Sequence, residues 1–378
     1  MTLARPQFVV LDSATLGNVS RDYWAAETSS RDKARAFLAR LQDLGVFVTF
    51  TYTHIIELFA HGNEQVVRER LKFLRTLPLI AWVRPYDDSW FPGGIVDLLC
   101  RELHAVVHGG ARSWDEVVDT VRPGLWQTGV GSEMFVDNDQ FWSTIKSVCD
   151  HHHERQKYVA SVARTDPGHM MNIKLGDACR LPIRPKEDRQ AYLHSFAGEM
   201  RQELESHGDK RFVWAREAAI AFAMQMHQDI EKIEESGGEP RQRILEFYGI
   251  PAECVSAELT IGEVGELGVY SERLKILSRA LRPPANVTMR DVPPETLPSY
   301  VLEQRLRSIQ RTAQRASGSD LGDSDMAPLV FYASGVQVDR RTDEFLNQVL
   351  RNEPELVPLI GRLFRCSDYS QVPGLFEQ

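Results

Sequence analysis

The chain is poor in cysteine. It has five cysteines among 378 residues, an odd number, and none of them form a CxxC pair or another spacing typical of metal ligands. These residues are Cys100, Cys149, Cys179, Cys254 and Cys366. We therefore expect no framework of disulfide bonds, which favours a reducing compartment.

Long apolar runs and an excess of basic charge are also missing. The apolar runs, such as residues 8–11, are far shorter than the roughly 20 residues of a membrane-spanning helix. Residues 1–7 lack the apolar core of a signal peptide, so we expect a cytoplasmic protein without a membrane partner. The 53 acidic and 44 basic residues give a net charge of −9, which argues against coating nucleic acid by bulk positive charge. An enzyme acting on nucleic acid is still allowed, because a carboxylate metal site brings negative charge of its own.

Three catalytic signatures are absent from the sequence. It contains no GxxxxGK[ST], GxSxG or HExxH motif, which leaves ATP hydrolysis, serine hydrolysis and zinc proteolysis without support. The run His151-His152-His153-Glu154 does not replace them. Successive residues of a helix point in different directions, so three adjacent histidines do not readily bind one ion.

Short apolar runs alternate with amphipathic stretches at both ends of the chain, as is typical of a parallel α/β sheet. Strands are predicted over residues 8–11, 46–50, 79–83 and 336–338. Helices are predicted over residues 31–44, 52–61, 64–76, 298–316, 323–334, 342–350 and 354–363.

The middle of the chain has a different pattern. Between about residues 86 and 300 we find helical periodicity and loops, with the clearest helix over 211–235. The sequence therefore predicts one α/β domain made of residues 1–85 and 300–378. A mainly helical insertion over residues 86–299 interrupts it.

Acidic residues stand where the ends of parallel strands would bring them together. Asp12 follows the first predicted strand, Glu57 lies on the helix after the second, and Asp339 follows the strand over 336–338. Asp323 and Asp325 open a predicted helix, where the helix dipole favours carboxylates. Ligands of an open parallel sheet gather beyond the carboxyl ends of its strands. Converging carboxylates repel each other, and oxygen ligands without Cys or His favour Mg²⁺ or Mn²⁺ as the cation that relieves this repulsion.

Three segments of the chain resemble the PIN domain nucleases. The first, Phe8-Val9-Val10-Leu11-Asp12-Ser13, resembles the opening strand and first acid of the family. The second, Thr53-His54-Ile55-Ile56-Glu57-Leu58, resembles the helix that carries the next acid. The third runs from Gly318 to Tyr332 and on through Val336 to Arg341, and resembles an acid-bearing helix followed by a strand that ends in acidic and basic residues. The resemblance covers residues 1–83 and 300–378.

This resemblance implies a PIN-like α/β/α sandwich and a metal-dependent nuclease that hydrolyses phosphodiester bonds. It implies that one or two Mg²⁺ or Mn²⁺ ions are held by the catalytic acids Asp12, Glu57, Asp323 and Asp339, with Asp325 as a further metal ligand and Asp320 in a secondary role. Asp323 matches the third acid best by its distance in the sequence to Tyr332, and Asp325 stays open as the alternative. An RNA substrate is favoured over single-stranded or structured DNA, but the motifs do not decide between them.

Histidine and arginine residues near these acids are candidates for binding the substrate phosphate. His54 and His61 share one face of the predicted helix with Glu57. The basic candidates are Arg307, Arg311 and Arg315 on the helix that leads to Asp320, and Arg340 and Arg341 directly after Asp339. For each of them a purely structural role, as a hydrogen-bonded histidine or a solvated arginine, is the alternative.

Two other functions stay open. The chain could be a non-catalytic nucleic-acid-binding or scaffold protein with a PIN-like fold, or a metal phosphoesterase that acts on small nucleotides. The insertion could restrict access to the site, bind substrate or form a homodimer, and a regulatory protein partner is also compatible with the sequence.

Overall fold

The computed structural model describes residues 6–87, 91–162, 165, 171–180, 186–207, 213–235, 238–312 and 324–377. The chain divides into two compact units. The first unit joins Met1–Glu154 with Glu295–Gln378, and the second is Arg155–Pro294.

A six-stranded sheet organises the first unit. Its strands are β1 Gln7–Val10, β2 Val46–Phe50, β3 Ile80–Val83, β4 Trp126–Gly129, β5 Gly335–Gln337 and β6 Arg362–Phe364. They lie in the order β4-β3-β2-β1-β5-β6, and every pair is parallel except the antiparallel pair β3–β4. Val10 of β1 is in register with Thr49 of β2 and with Val336 of β5. The predicted α/β class with a mostly parallel sheet is confirmed.

Helices connect the strands and supply most of the remaining structure. Before the second unit they are α1 Ser13–Tyr23, α2 Thr28–Asp43, α3 Tyr52–Phe59, α4 Glu64–Arg75, α5 Ile95–Val107, α6 Trp114–Leu125, α7 Gly131–Met134 and α8 Asp139–Val162, which ends inside that unit. The second unit continues with α9 Leu175–Ala178, α10 Lys186–His207, α11 Ala215–Glu235, α12 Pro240–Tyr248 and α13 Ile261–Ala280. The first unit resumes with α14 Pro298–Thr312 and α15 Arg340–Asn352.

Both faces of the sheet are buried. Successive side chains of a strand point to opposite faces, and in β1 and the residue after it Val9 and Leu11 join one hydrophobic cluster while Val10 joins another. The first cluster contains Phe37 of α2, and the second contains Leu302 of α14. The sheet is therefore a middle layer between helices, which explains why its strands read as continuous apolar runs.

The second compact unit starts later in the chain than the insertion that the sequence predicts. The sequence placed residues 86–154 in the insertion, but α5, α6 and β4 belong to the first unit, and β4 pairs with β3. The segment Trp126-Gln127-Thr128-Gly129 is an edge strand with two exposed residues, so it lacks the apolar run from which a strand is predicted. The compact second unit starts at Arg155 and ends at Pro294.

Two predicted helices near the C-terminus also differ. In the predicted helix 323–334, residues 324–326 are helical and a 3₁₀ helix, Ala327–Phe331, follows. In place of the predicted helix 354–363, a 3₁₀ helix, Pro354–Leu359, precedes strand β6. Both 3₁₀ helices contain proline, which lacks the N–H that a longer α-helix requires. Strand β6 has three residues, too few to give a periodic pattern in the sequence.

The described parts of the second unit are mainly helical. Met200 and Leu204 of α10 form a small buried cluster with Ala215, Ala218 and Ala219 of α11. The Arg189 guanidinium donates to both carboxylate oxygens of Glu234, at 2.8 and 2.7 Å, and ties the same two helices together. Across the parts of the chain that the structure describes, no helix is long and apolar enough to cross a membrane.

Candidate active site at the carboxyl edge of the sheet

Asp12 lies at the carboxyl end of β1, as predicted, and caps helix α1. Its Oδ1 accepts a hydrogen bond from the Ala14 N–H at 3.0 Å. Its own N–H donates to Oε1 of Gln337, a side chain of the neighbouring strand β5, at 3.3 Å. The half-buried carboxylate is thus fixed by two elements and retains oxygen lone pairs for another partner.

Glu57 lies on α3 and shares its surroundings with two other predicted acids. The pKa of Glu57 is raised to about 6, mainly by burial and also by the negative charges of Asp12 and Asp325, against a lowering by the Ser13 hydroxyl. The three carboxylates come from the end of β1, from α3 and from the segment before the 3₁₀ helix Ala327–Phe331. The charges of Asp12 and Asp325 both act on the Glu57 carboxyl, and we refer to Asp12, Glu57 and Asp325 as the acidic cluster.

Ser13 is a part of this cluster that the sequence analysis missed. The residue is only 8% exposed. Its hydroxyl acts on the Glu57 carboxyl closely enough to lower the pKa, although Ser13 Oγ has no hydrogen bond of standard geometry with any described atom. A buried hydroxyl beside carboxylates is a polar group with capacity for a further partner.

Arg307 of α14 faces the acidic cluster but is already engaged. Its Nη2 lies 2.6 Å from Oε1 of the buried Glu303 and 3.7 Å from Oδ1 of Asp325. The Arg307 side chain is one third exposed, at 33%. Ser324, next to Asp325, donates to Oε1 of Gln310 at 3.0 Å and attaches this segment to α14. Arg307 therefore supplies the cluster with positive charge from within the protein.

Asp339 follows β5, the neighbour of β1, as predicted. It is exposed, and its Oδ1 accepts the Thr342 N–H at 2.6 Å as the cap of α15. The carboxylates that act on the pKa of Glu57 are those of Asp12 and Asp325, and Asp339 is not one of them. Asp339 thus lies at the same edge of the sheet as Asp12, where its carboxylate caps α15.

Several predicted residues lie outside the described part of the chain. These are Asp320, Asp323, Arg315 and the side chain of Arg311. The structure therefore does not decide between Asp323 and Asp325 as the third acid of the site.

The donor chemistry of the acidic cluster suits a hard divalent cation, because its groups are carboxylate and hydroxyl oxygens. The described side chains, however, contain no group of three or more His, Cys, Asp or Glu residues close enough to hold a metal ion as they stand. Asp12, Glu57 and Asp325 interact through their charges without forming a finished coordination sphere.

His54 has a role different from the predicted contact with substrate. The ring is completely buried. Its Nδ1 accepts the Thr51 N–H at 3.1 Å, so the neutral ring carries its proton on Nε2, which donates to the Leu11 carbonyl at 2.9 Å. Burial lowers the pKa of His54 to about 4, which keeps the ring uncharged near neutral pH. Both ring nitrogens are thus occupied by the protein.

The other predicted phosphate contacts are dispersed. Helix α3 ends at Phe59, so His61 does not continue its face, and the His61 Nδ1 accepts the Asn63 N–H at 3.1 Å. Arg340 is exposed and donates to Glu344 at 2.9 Å. The Arg341 guanidinium lies over the Phe345 ring, 5.2 Å from its centroid.

A second buried acid, Glu102 of α5, was also missed. Its Oε1 accepts hydrogen bonds from the hydroxyls of Ser299, at 2.5 Å, and Tyr332, at 2.6 Å, and its Oε2 accepts the Ser299 N–H at 3.3 Å. Complete burial raises the pKa of Glu102 to about 7 against the lowering by these three donors. Glu102 joins α5 to α14 and to the residue after the 3₁₀ helix Ala327–Phe331, which anchors the segment that carries Asp325.

Comparison with known proteins does not assign this chain to a family. No protein-family model matches it, and no curated protein and no solved structure is significantly similar to it. The fold class is therefore read from the chain itself: a mostly parallel α/β unit, with Asp12 and Asp339 following two neighbouring strands at the carboxyl edge of its sheet.

Proposed function

We propose that the first unit is a PIN-like, metal-dependent nuclease that hydrolyses phosphodiester bonds of RNA. The observation that carries the proposal is the placement of Asp12 and Asp339 just after the neighbouring parallel strands β1 and β5, at one edge of the sheet, with Glu57 on the helix that follows β2. In support, the charges of Asp12 and Asp325 act on the Glu57 carboxyl, and this edge of the sheet is where α/β proteins bind ligands. Placing carboxylates near each other costs stability, and such a cost is typical of functional sites. A bound divalent cation would offset this repulsion.

The residues of the chain have distinct tasks in this proposal. Asp12, Glu57 and Asp325 would hold Mg²⁺ or Mn²⁺, and Asp339 and Asp323 are further candidates from the same edge. When bound, the cation would activate water and neutralise charge on the phosphate. Gln337 and the Ala14 N–H keep Asp12 in place, because they bond its N–H and one of its oxygens. Arg307 is the described cation beside Asp325, and its exposed third is available to a phosphate.

RNA is favoured as substrate through the resemblance to PIN domains, and a cytoplasmic setting agrees with five free cysteines. Because the net charge of the protein is −9, its overall charge repels the phosphate backbone and does not favour binding of nucleic acid. Binding therefore has to depend on the cation and on a few arginines. This predicts that affinity for RNA falls when the divalent cation is removed.

A substrate panel tests the proposal. Wild type, Asp12→Asn and Asp43→Asn are incubated with single-stranded RNA, single-stranded DNA, duplexes and free nucleotides, each with Mn²⁺ or with EDTA. Asp43 is an exposed acid that ends α2 and precedes β2, at the opposite edge of the sheet, and is a matched control. Cleavage of oligonucleotides by wild type and Asp43→Asn, and not by Asp12→Asn, is expected. Hydrolysis of free nucleotides alone would replace the nuclease with a small-molecule phosphoesterase.

One observation favours a second candidate, a non-catalytic scaffold or nucleic-acid-binding protein. The described side chains hold no group of three metal-binding residues at coordinating distance. Under this alternative Mn²⁺ leaves the melting temperature unchanged and no substrate is cleaved, while RNA still binds in EDTA.

A further inference from the structure

His54 connects the two elements that carry the first two acids of the cluster. Leu11, whose carbonyl it binds, immediately precedes Asp12. His54 itself lies in the first turn of α3, three residues before Glu57. The imidazole thus bridges a separation of 43 residues in the sequence with one hydrogen bond of 2.9 Å.

This bond lies beyond the last backbone pair of the two strands. The register of β1 with β2 ends at Val10 and Thr49, so the ladder does not fix Leu11 and Asp12 against the start of α3. The ring is held at its other side by the capping box of α3. Its Nδ1 accepts the Thr51 N–H while Thr51 Oγ1 accepts the His54 N–H at 3.3 Å. A ring held at both nitrogens acts as a spacer of fixed length.

We infer that His54 is a positioning residue that sets the separation between Asp12 and Glu57. The inference rests on the proposed function, because it concerns the geometry of the same metal site. A neutral ring suits this role, since it adds no positive charge that would compete with the cation for the carboxylates. Residues that orient metal ligands from outside the coordination sphere typically change metal affinity 10–100-fold when they are replaced.

Two substitutions separate the bond to Leu11 from the cap of α3. His54→Asn keeps an acceptor near the Thr51 N–H but is too short to reach the Leu11 carbonyl. His54→Gln keeps both an acceptor and a donor with enough reach for the two bonds. Thr49→Val is the matched control, because it removes another buried bond between the same strands, from Thr49 Oγ1 to the Val9 carbonyl at 2.8 Å, away from the acids.

The experiment measures Mn²⁺ affinity of the full chain from the electron paramagnetic resonance signal of free Mn²⁺, well below the melting temperature of each variant. We expect His54→Asn to bind Mn²⁺ roughly 10–100-fold more weakly than wild type. His54→Gln should recover most of the affinity, and Thr49→Val should bind like wild type. Equal affinity of His54→Asn and wild type, or an equal loss in Thr49→Val, would overturn the positioning role while the metal site stands.

A second measurement applies even if His54→Asn does not fold. In ¹⁵N-labelled wild type, the His54 ring should show a neutral, Nε2-protonated imidazole that does not titrate between pH 5 and 8. A ring that titrates near its ordinary pKa of about 6.5 would show that the bond to Leu11 is not maintained, and would overturn the inference. Absence of Mn²⁺ binding by the wild type itself would instead overturn the proposed function, and the inference with it.

Discussion

Replacing Glu57 with glutamine should stabilise the protein and abolish the proposed nuclease activity at the same time. The Glu57 carboxylate is partly buried and lies near the charges of Asp12 and Asp325. Glutamine has nearly the same shape but carries no charge. In the absence of metal it removes both the burial penalty and the repulsion, while it also removes a ligand from the proposed metal site.

The size and the pH dependence of this effect follow from the raised pKa. Burial and the neighbouring carboxylates raise the pKa of Glu57 from 4.5 to about 6, which corresponds to about 2 kcal/mol. Below pH 4.5 the residue is protonated in both the folded and unfolded states, so the penalty is absent. It develops as the pH rises through 6 and persists above that value. Because Glu57 keeps some contact with solvent, we expect Glu57→Gln to gain roughly 1–2 kcal/mol at pH 7.5.

Urea denaturation in EDTA measures this difference. Every tryptophan except Trp214 belongs to the first unit, so tryptophan fluorescence reports mainly on the unit that carries the site. Glu57→Gln should unfold at higher urea concentration than wild type at pH 7.5, and the gap should close near pH 4.5. At 100 times its dissociation constant, Mn²⁺ should stabilise wild type by about 2.7 kcal/mol and the variant by much less. Equal or lower stability of the variant at pH 7.5 would refute the raised pKa of Glu57.

Three further predictions concern other positions of the first unit. Burial raises the pKa of Glu102 to about 7, so wild type should lose stability as the pH rises from about 4.5 to 7. Glu102→Gln should not show this loss, and urea midpoints measured across this pH range check it. Arg307→Met should cost roughly 3 kcal/mol in unfolding free energy by calorimetry, since the buried Glu303 loses its cation, and Arg307→Met with Glu303→Leu should recover much of it. Gly131→Ala should cost roughly 4 kcal/mol or prevent folding, because a Cβ there would lie 1.9 Å from the Leu74 carbonyl oxygen; an unchanged melting temperature would contradict the packing of α7 on α4.

The strands that the sequence predicts are those buried on both faces. Residues 8–11, 46–50 and 79–83 are apolar runs because helices cover both sides of β1, β2 and β3, and all three strands are present within one or two residues. The strands β4 and β6 escaped prediction because they are short and lie at the edges of the sheet, where only some of their residues are buried. Their absence from the prediction also displaced the boundary of the insertion.

The site was predictable to the extent that it depends on strand ends. Asp12 and Asp339 follow β1 and β5, which is visible from the apolar runs that precede them. The buried contacts of His54 could not be predicted from the sequence. Its ring binds the backbone carbonyl of a residue 43 positions away, and the sequence does not distinguish such a histidine from one that faces solvent. Burial of Ser13 and Glu102 likewise depends on tertiary packing, and no periodicity in the sequence reports it.

The central claim is that the acidic cluster at the carboxyl edge binds a divalent cation for phosphodiester hydrolysis. A single-turnover assay with end-labelled single-stranded RNA, in Mn²⁺ and in EDTA, tests it most directly. We predict that wild type and Asp43→Asn cleave only with Mn²⁺ and that Asp12→Asn is inactive. The products should carry no 2′,3′-cyclic phosphate, because in the proposed reaction water, and not the 2′-hydroxyl, attacks the phosphate. Cleavage that survives EDTA or the loss of Asp12, or that leaves cyclic phosphate ends, would contradict the account.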